Sequence, residues 1–264
     1  SSDMRDGEPG AEDVVFIGDI HRQWHHIIRG LAQAPRRPRV AVLLGDIECD
    51  RPLDEVAAPL LDAGIEVHWI WGNHDYDGGP EMWANLSDPE RNPRTRAGML
   101  NACVREIGGL RIAGLSGTFR RRVWEPPHPR RLHSRTELAE DVATLGDDWT
   151  EAQREAMAHA LSAMAIWPED YDALAGLCAD VLVTHEAPSS HPQGAALLDD
   201  LARRMGARVI IHGHHHVCYR AQAEDGLLVQ GVGAGWALGV DGSAWWSGEA
   251  DRWLGTLPRP WQKA

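Results

Sequence analysis

The sequence predicts an α/β protein, a layered sheet covered by helices on both faces, and three observations carry that expectation. Short apolar, β-branched runs recur along the 264 residues, at 14–18 (VVFIG), 40–45 (VAVLLG), 67–72 (VHWIWG), 180–185 (DVLVTH) and 208–213 (RVIIHG). Each is nearly continuous in apolar residues rather than alternating, as strands covered on both faces are. Each also ends in a turn of Gly, Asp, Asn or His, and helical patterns fill the gaps between them.

The first helix carries Trp24, Ile27, Ile28 and Leu31 at i, i+3, i+4 and i+7 and stops near Ala34-Pro35. A second is expected over about 52–62, with Pro in its first turn, Gly64 just past its end and a kink at Pro59. The glycine-punctuated run 107–119 reads as a hairpin that extends the sheet, and 227–236 as late edge strands. The crossover helix over 195–205 has Leu197, Leu198, Leu201 and Met205 on one face and Gly206 as its C-terminal cap. Residues 120–170 break this rhythm. An Arg- and Pro-rich stretch precedes two expected helices, at about 136–145 and 150–166, the second opened by the capping box Thr150-Glu151-Ala152-Gln153. The segment is read as a helical cap inserted within one domain spanning 1–264.

Composition excludes several classes. No run approaches the ~18 apolar residues of a membrane helix, and the first residues lack a secretory signal pattern. A net charge of −13 argues against sequence-independent binding to duplex nucleic acid, whose affinity comes from neutralising phosphates. Four cysteines far apart, without a CxxC pair, fit a reducing cytoplasm.

The chemistry-bearing residues cluster after strands. Gly18-Asp19-Ile20-His21, Gly45-Asp46, Gly72-Asn73-His74-Asp75, Thr184-His185-Glu186 and Gly213-His214-His215-His216 each follow an expected strand. Open α/β sheets bind ligands at the carboxyl ends of their strands. Asp, Asn and His supply the oxygen and imidazole donors that suit first-row metal ions. One such motif is weak evidence; five in series point to a metal site.

The ordered set DxH, GDxxx, GNHD, H and GHxH resembles the calcineurin-like metallophosphoesterase superfamily, over 14–75 and 180–216 and through the sheet to about 236. The resemblance implies a layered β-sandwich flanked by helices, with two divalent first-row ions at one edge: manganese first, with iron, zinc, nickel or cobalt as alternatives. By position, Asp19, His21 and His216 would hold the first ion and Asn73, His185 and His214 the second. Asp46 would bridge them. A hydroxide between the ions would attack phosphorus in line, and His74 would stabilise the transition state or protonate the departing oxygen.

In the second motif Asp50-Arg51 stands one residue later than the family's Asp-Arg. A bulge returning Asp50 to orient His74 and Arg51 to the substrate is the expectation, with Glu48 and Asp75 as competitors for the histidine. Arg120, Arg121 and Arg122 are candidates to grip a phosphate through paired N–H donors, against a solvated basic loop. Ser189, Ser190 and His191 either line the substrate pocket or form a turn. Cys49 is read as packing. The expected activity is hydrolysis of a phosphate ester of a small molecule, either a phosphomonoester or a nucleotide-type diester or pyrophosphate. A protein phosphatase or nuclease, and a non-catalytic protein-binding scaffold of the same fold, are the alternatives. The sequence leaves the oligomeric state open.

Overall fold

The computed structural model describes residues 7–250, so the ends of the expected 1–264 domain fall outside it. Strands β1 (Val14–Ile17), β2 (Val40–Leu44) and β3 (Glu66–Ile70) run parallel. β4 (Cys103–Ile107), β5 (Leu110–Leu115), β6 (Val181–Thr184), β7 (Val209–His212), β8 (Tyr219–Gln222) and β9 (Leu228–Gly231) form a second sheet. β10 (Ala237–Gly239) and β11 (Ala244–Trp246) return to the first. The sheet orders are β11-β10-β1-β2-β3 and β4-β5-β6-β7-β9-β8. The chain is therefore mixed α/β, two mixed sheets flanked by helices.

The pleat explains the layering, because successive side chains point to opposite faces. Val14, Phe16, Val42 and Leu44 face Ile112, Val183 and Ile211 of the other sheet and fill the space between the two. Val15, Ile17, Leu43 and Trp69 point the other way, onto helix α1 (His25–Gln33) and the short helices α2 (Leu53–Val56) and α3 (Ala58–Leu61). The outer face of the second sheet carries the remaining helices that enclose its core. These are α6 (Glu151–Met164), α7 (Pro168–Ala175) and α8 (Ala196–Met205), and they cover Leu115, Leu182 and Ile210. Helix α4 (Gly79–Ser87) follows the third motif, and α5 (Leu138–Ala143) precedes α6. Among the described residues no helix is long and apolar enough to cross a membrane.

Several elements differ from expectation, each for a local reason. The helix expected over 52–62 is two helices that break at Ala57. Pro59 has no N–H to continue the first, but it fits the opening turn of the second, where none is needed. In α1, Ile28 is 54% exposed while His26, Ile27 and Gly30 are buried. Gly30 sits against the Trp246 ring so closely that a Cβ would collide with it, and this contact turns the helix away from the Ile28 side. The hairpin begins earlier than residue 107, with Gly108 and Gly109 forming the turn between β4 and β5. β4 escapes a hydrophobic reading because Arg105 and Glu106 are exposed on it. Of 227–236 only Leu228–Gly231 is strand, and it is interior, between β7 and β8. Residues 120–170 are packed down: Val123, Trp124, Leu132, Leu161 and Trp167 share the core of the second sheet's outer face.

Candidate metal centre

Seven parallel strands of the two sheets bring their carboxyl ends to one edge, and the five motifs leave from β1, β2, β3, β6 and β7 there. The turns that follow are tight. Asp19, His21, Asp46, Glu48, His214 and His216 all have positive φ, from 20° to 71°, in a region L-residues adopt at a cost. Hydrogen bonds hold them there. His214 N–H donates to both carboxylate oxygens of Asp19 (3.0 and 2.9 Å), tying the first motif to the last. His21 N–H donates to Asp46 O (2.8 Å), and His74 N–H to Asp46 Oδ1 (2.9 Å).

The side chains form two groups. Asp19, His21 and His216 bring one donor atom each within 4.8 Å of one another, and Asp46, His185 and His214 do the same. His21 Nε2 lies 2.9 Å from His216 Nε2, and His216 Nε2 lies 3.8 Å from Asp19 Oδ1. In the second group His185 Nε2 is 3.2 Å from both Asp46 Oδ2 and Asn73 Oδ1. Asp46 joins the groups, since its Oδ2 is also 3.8 Å from His21 Nε2. That oxygen is buried and makes no hydrogen bond of acceptable geometry. His185 Nδ1–H donates to Leu44 O (2.8 Å), a second contact that turns Nε2 inward.

The electrostatics fit cation binding. Burial of Asp19, with Asp46 beside it, outweighs the attraction of His185 and pushes its carboxyl up to about 7. Burial disfavours charge on His185 too, but the Asp46 and Asp19 carboxylates overcome it and raise the imidazole to about 10. The carboxylates thus favour a positive charge at this place. Burial, with His185 and His215 nearby, drives His214 down to about 2, so it stays a neutral donor. Two oxygen–imidazole groups sharing a carboxylate with a buried, unsatisfied oxygen form a donor set suited to two divalent ions.

The structure brings together all seven residues expected as ligands, and it moves most of the others. His74 stands at the mouth, its ring 5.6 Å from that of His21. Its Nδ1 meets Asp77 Oδ2 at 2.5 Å, not Asp50. Asp50 is exposed, so the expected bulge does not deliver its carboxylate to His74. The loop is instead pinned by Asp75, which is buried and accepts from the N–H groups of Ile47 (2.8 Å), Glu48 (2.7 Å) and Gly72 (2.8 Å). Glu48 Oε2 lies 3.1 Å from His21 Nδ1 and so orients an expected ligand rather than His74. Arg51 points out along α2, 3.9 Å from Glu55. Arg122 is engaged by Asp141 (Nε to Oδ2 2.6 Å), a partner that occupies its fork. Arg121 is exposed, and Arg120 is half-buried.

Ser189 caps onto Asp199, Ser190 meets Tyr219, and His191 stacks on His215 at 3.7 Å, so this stretch builds a turn. Cys49 is buried in the first sheet's outer core, where burial raises its thiol. Sequence reasoning missed Asp77. The i, i+3 spacing of His74 and Asp77 in HDYD was the available signal.

These features meet a family description. The model of the calcineurin-like phosphoesterase family matches residues 13–218, and the chain belongs to that family. A Haemophilus influenzae protein described as uncharacterized is 30% identical over 223 residues, covering 83% of this chain and 90% of the relative. The crystal structure of TT1561 of Thermus thermophilus superposes with a TM-score of 0.52 at 11% identity, covering 86% of this chain and 94% of that one. That likeness speaks for the fold.

Proposed function

We propose that this chain hydrolyses a phosphate ester of a small molecule, a phosphomonoester or a nucleotide-type diester or pyrophosphate, using two divalent first-row ions with manganese first among them. The observation that carries the reading is Asp46 Oδ2, buried without a hydrogen bond between His21 Nε2 and His185 Nε2. Asp19, His21, His216 and Asp46 would hold one ion, and Asp46, Asn73, His185 and His214 the other. Two such ions lower the pKa of a bound water and neutralise charge on a phosphoryl group.

The chain's own residues supply the rest. Leu44 O and Glu48 orient two of the imidazoles, and His214 N–H fixes Asp19. His74, 45% exposed at the rim, offers the ring nitrogen not engaged by Asp77 to a departing oxygen. Among the described residues no disulfide joins the four cysteines, in keeping with a reducing cytoplasm.

Metal analysis and a substrate panel test the reading together. Reconstituted protein should hold two ions per chain; Asp46→Asn should reduce both, whereas His216→Ala and His185→Ala should each chiefly lose one. Phosphomonoesters, phosphodiesters and nucleotides should include a substrate. One ion or none in the wild type defeats the two-metal assignment, and two ions with no turnover across the panel favours a scaffold.

A further inference from the structure

The segment after β5 is rich in arginine, but its arginines are not equivalent. Arg122 and Arg131 share Asp141, Arg130 pairs with Asp172 (2.7 Å), and Arg135 pairs with Glu169 and Asp170 (both 2.8 Å). Each is neutralised by a carboxylate of the same helical segment, and such pairs hold the segment in place. Arg121 is exposed beside a shallow groove with Glu125, His128, Pro129 and Arg131. Arg120 differs from all of them. It is half-buried, its Nε is buried without a hydrogen-bond partner, and among the described residues no carboxylate oxygen lies within ion-pair distance of it.

Its position is set by the fold. β5 is hydrogen-bonded to β6 and β6 to β7, all parallel, so the loops carrying Phe119-Arg120, His185-Glu186 and His214-His215 leave side by side. Phe119 N–H donates to Glu186 Oε2 (3.3 Å), which ties the backbone one residue before Arg120 to the residue after His185. Glu186 is buried, feels the charge of Arg120, and brings a carboxylate oxygen within 4.8 Å of ring nitrogens of both His214 and His215. His215 Nε2 is 3.8 Å from Glu186 Oε1 and also lacks a hydrogen bond. Among the described residues the Arg120 guanidinium thus has no ion-pair partner, and the Glu186 carboxylate whose charge reaches it is the one that lies beside His214 and His215. A planar fork of N–H donors matches a phosphate, and burial makes a vacant donor costly.

We infer that Arg120, carried next to the Glu186-anchored Phe119, forms a phosphate subsite beside the second ligand group that takes a further phosphoryl group of the substrate. This rests on the hydrolase reading and narrows it to pyrophosphate-type or doubly phosphorylated small molecules. The scissile phosphoryl group sits over the shared Asp46, and the second one reaches the Arg120 fork.

Calorimetry on metal-reconstituted, dialysed protein tests this with two probes, orthophosphate and the non-hydrolysable imidodiphosphate. Wild-type protein should bind imidodiphosphate tighter by on the order of tenfold or more, the scale of a charge-assisted fork. Arg120→Ala should abolish that preference while orthophosphate affinity and the two-ion metal content stay put. Arg120→Lys should restore only part of it, because an ammonium offers no fork. Arg208→Ala, before β7 at the opposite end of that strand, should keep the full preference. Equal preference in wild type and Arg120→Ala overturns the subsite while leaving the hydrolase reading intact. If neither anion binds and nothing is hydrolysed, both fall together. A parallel readout is kinetic: with a sugar bisphosphate and its matching monophosphate, Arg120→Ala should raise KM for the first alone, and a uniform loss on both would also overturn the subsite.

Discussion

His74 owes its pose to two carboxylates on opposite sides of one turn. Asp46 holds its backbone N–H, and Asp77 holds its ring Nδ1. With Nδ1 engaged, Nε2 is the nitrogen left to face a substrate, and a fixed ring loses less orientational freedom in the transition state. Asp77→Ala should therefore lower kcat by about three- to tenfold, a modest figure because both side chains are nearly half exposed and the pair is screened. Asp77→Asn should recover part of that through its carbonyl oxygen, and Asp50→Ala should leave kinetics unchanged. Steady-state rates with metal content verified decide it; a silent Asp77→Ala assigns the contact to the surface. At this scale the two donor groups were legible, since a donor after each strand needs only the strand to place it. Asp50, Glu48, Asp75 and Asp77 were not, because four carboxylates within a few residues of two turns have near-equal claims until φ is known. Positive φ at Asp46 and Glu48 sends Glu48 towards His21, and Asp75 is drawn under the loop by three N–H groups.

The strand-end turns work as elements because glycine lets them meet. Gly45 has φ +93°, and a Cβ on Gly72 would collide with Asp46 Oδ1 and come within 2.5 Å of His185 Cε1. No side chain in that spot can move away without displacing the shared carboxylate. Gly72→Ala should cost metal binding, with both sites weakened, whereas Gly146→Ala, whose Cβ meets nothing within 4 Å, should be neutral or slightly stabilising. Metal content and melting temperature separate the two; a Gly72→Ala protein with two tightly held ions would show that the loops have slack the distances deny. The same local packing explains what the sequence revealed of the elements. The five apolar strands were legible because both their faces are buried, and α8 was legible from its apolar face and its αL Gly206. β4, with exposed Arg105 and Glu106, was not, and neither was α7, short and opened by Pro168. The sheet partners of β9 and β10 depend on tertiary pairing that no local pattern encodes.

For the whole molecule, the metal-free fold carries protons where the metal-loaded fold carries ions. Asp19 is raised from 3.8 to about 7 by burial and by Asp46. His185, against its burial, is raised from 6.5 to about 10 by Asp46 and Asp19. Both shifts have one sign for stability. A raised folded-state pKa contributes stability that is fully present below the unfolded value and is lost as pH rises through the folded value. Between pH 5 and 8 the metal-free protein should therefore lose stability from Asp19 as that carboxyl ionises in a buried site, and from His185 once pH passes 6.5. Ligand groups must be deprotonated to bind, so rising pH favours the ions just as the protons that replace them are lost. The gap in melting temperature between metal-loaded and metal-free protein should widen from pH 5 to pH 8. His212, held down to about 3 by burial and hydrogen-bonded to Tyr219, works the opposite way in acid, but it does so in both forms and cancels from the comparison. Calorimetric titration with manganese in buffers of different ionisation enthalpy should register net proton release at pH 6.5. A melting gap that is constant with pH, together with binding that releases no proton, would place the carboxylates and His185 already in their metal-binding protonation states and refute the exchange of protons for ions.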